Sequence, residues 1–264
     1  MRILFLGDIF ARPGRSLIAE WLPQYRADNN VDFVIANAEN SAGGKGITRE
    51  VINELAESKI DVFTGGNHSF AQRDSLPVFD ENPRVLRPAN LAPGIPGRGL
   101  GVYECAGRRI AVINLQGRAF MAPVDCPFRK ADELLDEAMR QTNIIVVDLH
   151  AEATSEKMAM VHYLDGRVTA VIGTHTHIPT ADGRVTDRGT AAISDVGMCG
   201  PYESVIGVET GIIMEQLIRG LPVRHKPATE GARISALLID LDAETGRARA
   251  AKHILHPEFI QRLD

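Results

Sequence analysis

Two histidines one residue apart close an apolar run, Val171-Ile172-Gly173-Thr174-His175-Thr176-His177. In an extended strand alternate side chains share a face, so His175 and His177 could serve one site or two adjacent ones. That is metal-ligand spacing, although the same pair at a strand end also suits two surface histidines satisfied by water. The context favours the ligand reading. Four other apolar runs end in side chains of ligand type: Ile3-Leu4-Phe5-Leu6 leads into Asp8, and Phe33-Val34-Ile35-Ala36 leads into Glu39 and Asn40. Val62-Phe63-Thr64 leads through two glycines to Asn67 and His68, and the run over 144–149 ends at His150. Five such endings are hard to explain as accidents of core or surface.

Asp8, Glu39, Asn40, Asn67, His150, His175 and His177 together offer oxygen and nitrogen donors and no sulfur. One tetrahedral zinc needs about four donors, whereas two five- or six-coordinate ions sharing a carboxylate and a water need about seven. The expectation is two divalent or trivalent ions per chain. Mixed imidazole, carboxylate and carboxamide ligation suits Fe, Mn or Zn over Ca or Mg.

The elements that must position these donors follow from patterning. Each run is short, rich in β-branched residues and apolar throughout, which is the texture of a strand buried on both faces. Open α/β sheets bind ligands at the carboxyl ends of their strands, where all five runs deliver their donors. Helical spacing of apolar residues predicts helices over 15–25, after Thr48 as N-cap, over 131–141 and over 154–163. Runs at 102–105 and 110–114, and at 234–240 and 248–255, read as two hairpins, so antiparallel pairing enters the middle and the end of the chain. A strand is expected over 168–177 and another over 191–195. Residues 90–101 and the glycine-rich 196–202 are expected to be irregular, the latter overhanging the site.

The whole chain of 264 residues, 44% hydrophobic, is expected to form a single domain over 1–264 with a sizeable core. Its formal charge of −5, from 29 basic and 34 acidic residues, lies in no long like-charge block. Polymeric nucleic acid and anionic membrane are therefore not expected partners. Cys105, Cys126 and Cys199 are odd in number and widely spaced, which argues against a disulfide framework and fits a reducing cytoplasm. No stretch approaches the ~20 apolar residues of a membrane span, and the first residues lack the pattern of a signal peptide. Gly43-Gly44-Lys45-Gly46 fails as a phosphate loop of nucleoside triphosphatases, which needs Ser or Thr after the Lys. Lys45 could still stand near a substrate. Arg12 and Arg15 could reach an anion, but solvated positions at a helix start are the preferred reading.

Taken in order, Gly7-Asp8, Asn37-Ala38-Glu39-Asn40, Gly66-Asn67-His68, His150 and Gly173-Thr174-His175-Thr176-His177 resemble the motif set of calcineurin-like metallophosphoesterases. They are most similar to the YmdB-like branch of cyclic-nucleotide phosphodiesterases, over essentially the full length. The resemblance implies an α/β fold, a β-sandwich of two mixed sheets flanked by helices in α/β/β/α layers. It implies that Glu39 bridges two ions, with Asp8, Asn40 and His177 completing the first site and Asn67, His150 and His175 the second. Iron is the metal placed first, with Mn or Zn as alternatives. A hydroxide held between two metals would be the nucleophile, and His68, which has no metal duty left, would be the general acid; a hydrogen-bonded spectator is the alternative.

Three positions depart from the superfamily pattern: Phe10 stands where a His is usual, Glu39-Asn40 replaces an Asp-containing motif, and Ser69 replaces an acid after Asn-His. The branch shares the first two. The third leaves open what orients His68. The implied substrates are small phosphodiesters, 2′,3′-cyclic nucleotides first and 3′,5′-cyclic nucleotides second, and a homo-oligomer is allowed. Two rivals are an amidohydrolase-like metal hydrolase, against which the late position of His-x-His argues, and a non-catalytic metal-binding regulator on the same fold.

Overall fold

The protein is described by a computed structural model covering residues 1–259. Its first half runs β1 (Arg2–Leu6), β2 (Asp8–Ile9), α1 (Ala11–Asp28), β3 (Phe33–Asn37), α2 (Arg49–Glu57), β4 (Val62–Thr64) and α3 (Ser75–Glu81). The middle holds β5 (Leu100–Cys105), β6 (Arg108–Gln116), α4 (Pro127–Ala138), β7 (Ile145–His150), α5 (Thr154–Leu164) and β8 (Ala170–Thr174). The remainder is β9 (Arg184–Val185), β10 (Ala191–Ile193), β11 (Met198–Pro201), α6 (Thr210–Arg219), β12 (Ala232–Leu241) and β13 (Ala248–His256).

These strands form two mixed sheets. The first has the order β2-β11-β12-β1-β3-β4, with β13 also paired to β12; the second has the order β5-β6-β7-β8-β10-β9. In the first sheet β1, β3 and β4 are parallel and β12 runs against β1. In the second, β6, β7, β8 and β10 are parallel and β5 runs against β6.

Strand alternation explains the layering. Ile3 and Phe5 of β1 point into one cluster with Ile110, Val112 and Ile172 of the other sheet, so the sheets pack face to face. Leu4 and Leu6 point the other way, onto Ile18 and Leu22 of α1 and Ile52 and Leu55 of α2. Ile113 and Val147 likewise turn outward beneath Leu135 of α4 and Met160 and Leu164 of α5. The result is helices, sheet, sheet, helices, the metallophosphoesterase-type sandwich. Among the described residues no helix is long and apolar enough to cross a membrane.

The boundaries differ from the sequence expectation where backbone chemistry outranks apolar spacing. Helix α1 starts at Ala11, not 15, because Pro13 falls in the first turn, where its missing N–H loses no hydrogen bond. Pro127 opens α4 in the same way, four residues ahead of the expected start. Thr48 does cap α2, its hydroxyl accepting from Val51 N. The glycine-rich stretch expected to be irregular contains β11, which pairs parallel to β2 and antiparallel to β12. Helices α3 and α6 lie outside the elements expected from the sequence. Strand β8 ends at Thr174, so His175 and His177 lie beyond it.

Candidate metal centre

The carboxyl ends of β1, β3, β4, β7 and β8 meet at one edge of the sandwich, each handing over a donor. Asp8 follows β1, Glu39 and Asn40 follow β3, Asn67 and His68 follow β4, His150 is the last residue of β7, and the histidine pair follows β8. His175 and His177 share the site through a turn rather than through strand alternation. Both have left-handed backbone, φ 102° and 67° respectively, a region that L residues adopt only when the surroundings enforce it. The enforcement comes from Asp195. Its Oδ2 accepts from Thr176 N (3.0 Å) and from the Nζ of Lys157 (2.6 Å), while its Oδ1 accepts from Gly197 N (2.8 Å). Both members of that ion pair are buried.

His150 Nε2 is the focal atom. Asn67 Oδ1 lies 3.0 Å from it, His175 Nδ1 3.0 Å and Glu39 Oε1 3.1 Å. The other ring nitrogen, Nδ1, lies 2.9 Å from Thr174 Oγ1, and that hydroxyl donates to Asp148 Oδ1 at 2.8 Å. A threonine hydroxyl has one proton, so with that proton on Asp148 it can only accept from His150. A proton is thus assigned to Nδ1, and Nε2 is the nitrogen that faces Asn67 Oδ1, His175 Nδ1 and Glu39 Oε1. Asp148 is held ready for this by Thr64 Oγ1 (2.5 Å) and Asn37 Nδ2 (3.1 Å), both donating to its Oδ2. Gly66 has to lack a side chain, since a Cβ there would lie 2.3 Å from Glu39 Oε2 and 2.4 Å from His150 Nε2.

The second group of donors reaches the same Glu39 oxygen through Asn40. Asn40 Nδ2 donates to Glu39 Oε1 at 3.0 Å and lies 3.1 Å from His177 Nε2. His177 Nδ1 is 2.8 Å from the carbonyl of Ile206, which fixes its proton there and leaves Nε2 toward the site, 4.0 Å from Asp8 Oδ1. That Asp8 oxygen is buried and has no hydrogen-bond partner, whereas Oδ2 accepts from His175 N (3.1 Å).

The electrostatics agree with a cation site. Burial pushes the Asp8 carboxyl up, against the pull of His177 and His150. Burial acts the same way on Glu39, yet His150 and His68 hold it well below the usual carboxylate range. For His150 burial favours the neutral ring, but Glu39, Asp8 and Asp148 outweigh it and carry its pKa up to about 9. His175 is driven down to about 3 by burial and by His150 beside it. Without an ion the protonated His150 ring supplies the positive charge among these acceptors, a place a metal would take, and an orphaned buried carboxylate oxygen is what a metal would also satisfy. Glu39, His150 and His175 already offer ligand atoms within 4.8 Å of one another. The donor set fits metal ions.

His68 is half-buried, and its Nδ1 lies 3.0 Å from Asn40 Oδ1 while its peptide N–H donates to Glu39 Oε2 (2.9 Å). Asn40 therefore orients the ring. Ser69 serves the turn instead, its hydroxyl accepting from Gly66 N and donating to Gly66 O. Phe10 packs edge-on against His177, with ring centroids 5.5 Å apart. Of the basic residues singled out in the sequence, Lys45 lines the cleft, Arg15 is taken up by Glu54 and the carbonyl of Ser41, and Arg12 does not line it. Sequence reasoning missed Glu152, whose Oε2 is 3.1 Å from His175 Nε2, and the supporting residues Asp148, Thr174, Lys157 and Asp195. The available signal for Glu152 was its place two residues after His150.

The cleft above these donors measures about 690 Å³. Similar proteins share both sequence and shape. A Bacillus subtilis (strain 168) protein named 2′,3′-cyclic-nucleotide 2′-phosphodiesterase is 44% identical over 255 residues, covering 97% of either chain. A Thermus thermophilus protein of solved structure is 40% identical with a TM-score of 0.91, over 97% of this chain and 98% of that one. The crystal structure of a Mycoplasma pneumoniae protein described as a novel phosphatase matches at 34% identity and a TM-score of 0.91, over 97% of this chain and 92% of that one. With the YmdB-like protein family's sequence model matching residues 4–254, the chain belongs to that family of calcineurin-like metallophosphoesterases.

Proposed function

We propose that this phosphoesterase is a metal-dependent phosphodiesterase acting on small cyclic phosphodiesters, 2′,3′-cyclic nucleotides first and 3′,5′-cyclic nucleotides second. The observation that carries the reading is the convergence of Asn67, His150, His175, Asn40 and His177 around Glu39 and the unpartnered Asp8 oxygen, at the floor of the cleft. Asp8, Asn40 and His177 would hold one ion, Asn67, His150 and His175 a second, and Glu39 would bridge them. Iron is the first choice and Mn or Zn the alternatives. When bound, such a pair supplies an activated water and neutralises charge on a phosphoryl group. The name of the Bacillus subtilis relative supports the choice of substrate.

The residues of the chain then divide the work. With Nδ1 tied to Asn40, His68 presents Nε2 for transfer of a proton. As the water oxygen bonds to phosphorus and releases a proton to solvent, the P–O2′ bond breaks and the His68 proton goes to O2′, leaving a nucleoside 3′-phosphate and a ring that solvent reprotonates. The buried Asp148-Thr174 pair holds His150 in one tautomer, and the Lys157-Asp195 pair holds the histidine turn. Three free cysteines suit a reducing compartment such as the cytoplasm. The test is to assay metal-loaded protein on 2′,3′-cyclic AMP and 3′,5′-cyclic AMP, following products by chromatography. Adenosine 3′-phosphate is expected from the first. Metal binding without turnover of either would instead identify a regulator.

A further inference from the structure

Beside the metal donors the cleft has a wall of a different character, built from Ile206, Val208, Ile213, Val223 and Pro227, with His225 the polar residue of the same stretch that lines it. All five lie between β11 and β12, in a stretch that supplies no metal donor. The wall is internally braced: Ala228 N donates to Gly207 O (2.9 Å), Glu209 N to Lys226 O (3.0 Å), and Val208 bridges Pro227. It is also tied to the centre, since the Ile206 carbonyl is the partner of His177 Nδ1 at 2.8 Å. Ile206 has φ 47°, an unfavourable backbone for a β-branched residue, and its side chain is 47% exposed. An exposed apolar side chain held on unfavourable backbone beside the metal donors answers to an apolar ligand surface better than to the fold.

Building on the phosphodiesterase reading, we propose that this wall seats the nucleobase of the cyclic nucleotide by apolar contact, without hydrogen-bond readout. The five side chains carry no donor or acceptor, and the Nε2 of His225 is engaged by Gln216 Oε1 at 2.8 Å, so the wall can reward the presence of a base but cannot tell one base from another. Discrimination between bases would need buried polar groups left unpaired by the wrong one. A cleft of about 690 Å³ is of the size that takes a small ligand of this class.

The experiment compares the 2′,3′-cyclic phosphates of adenosine, guanosine, cytidine and uridine with that of methyl β-ribofuranoside, which lacks a base. The four nucleotides should have kcat/KM values within about fivefold of one another, and the base-free substrate should fall about tenfold or more below them through KM, as expected for one lost apolar contact worth ~1.4 kcal/mol. Ile206→Gly keeps the carbonyl under His177 and suits the left-handed backbone, and Val223→Ser trims the wall from a loop. Each should narrow the gap between nucleotides and the base-free substrate. Calorimetry should show the same order for the products, adenosine 3′-phosphate binding tighter than the methyl riboside 3-phosphate. Equal turnover with and without a base, or a spread above about a hundredfold among the four bases, would overturn the wall alone. Turnover of none of the five by metal-loaded protein would overturn the phosphodiesterase reading with it.

Discussion

At the scale of single residues the site is governed by where protons sit. His68 is tied at Nδ1 and free at Nε2, so its loss should matter most when the leaving oxygen needs a proton. His68→Ala should lower kcat on 2′,3′-cyclic AMP by ~10²–10⁴-fold and on bis(p-nitrophenyl) phosphate far less, with metal content unchanged. Equal losses on both substrates would point to phosphate positioning, and a loss of metal would make His68 a ligand support. Thr174 is the relay between Asp148 and His150, and Thr174→Val removes it while keeping the shape. Metal affinity should drop ~10–100-fold and return in Thr174→Ser, as read by competition with a chromophoric chelator. Unchanged affinity in the valine variant would refute the tautomer argument. The donors were legible in the sequence because each terminates a β-branched run. Their supports were not: Asp148 meets its partners Thr64 and Asn37 at sequence separations of 84 and 111, and nothing local marks a strand carboxylate as buried.

Among the elements, the segment after β8 carries the most strain. Two histidines in left-handed backbone flank Thr176, whose N–H is held by Asp195, and the charge of that carboxylate is balanced by Lys157 of α5, while His175 N is held by Asp8. Both are buried, so Lys157→Met leaves an uncompensated charge and should cost ~3–5 kcal/mol in denaturant unfolding, with weakened metal binding at the histidine turn. A variant of native stability would show that Asp195 needs no counter-charge. The apolar runs, the cap at Thr48 and both hairpins could be read from periodicity. The turn could not, because a strand pattern continues through His175 and His177 although the hydrogen-bonded ladder with β7 and β10 stops earlier. The same blindness hid β11, whose glycines and proline carry no alternation, and α6, which buries no residue.

For the molecule as a whole, the sandwich works by bringing two sheets to a common edge. Glu39 comes from the first sheet and His150 from the second, and their side chains meet at 3.1 Å. Neither sheet alone carries the donors proposed for either ion, so the shared core of Ile3, Phe5, Val112 and Ile172 is also what sets the distance across the site. The resemblance carried by the motifs anticipated this architecture; patterning alone gave strands, helices and two hairpins, and composition only one domain with a sizeable core. The account rests on two ions acting together at that junction, and the direct measurement is an activity titration. Protein stripped with a chelator is given increasing equivalents of Fe(II) or Mn(II) under anaerobic conditions, and the initial rate of 2′,3′-cyclic AMP hydrolysis is recorded. The rate should stay low through the first equivalent per chain and reach its plateau at about two, as a bridged pair requires. A plateau at one equivalent, or full turnover in the stripped protein, would contradict it.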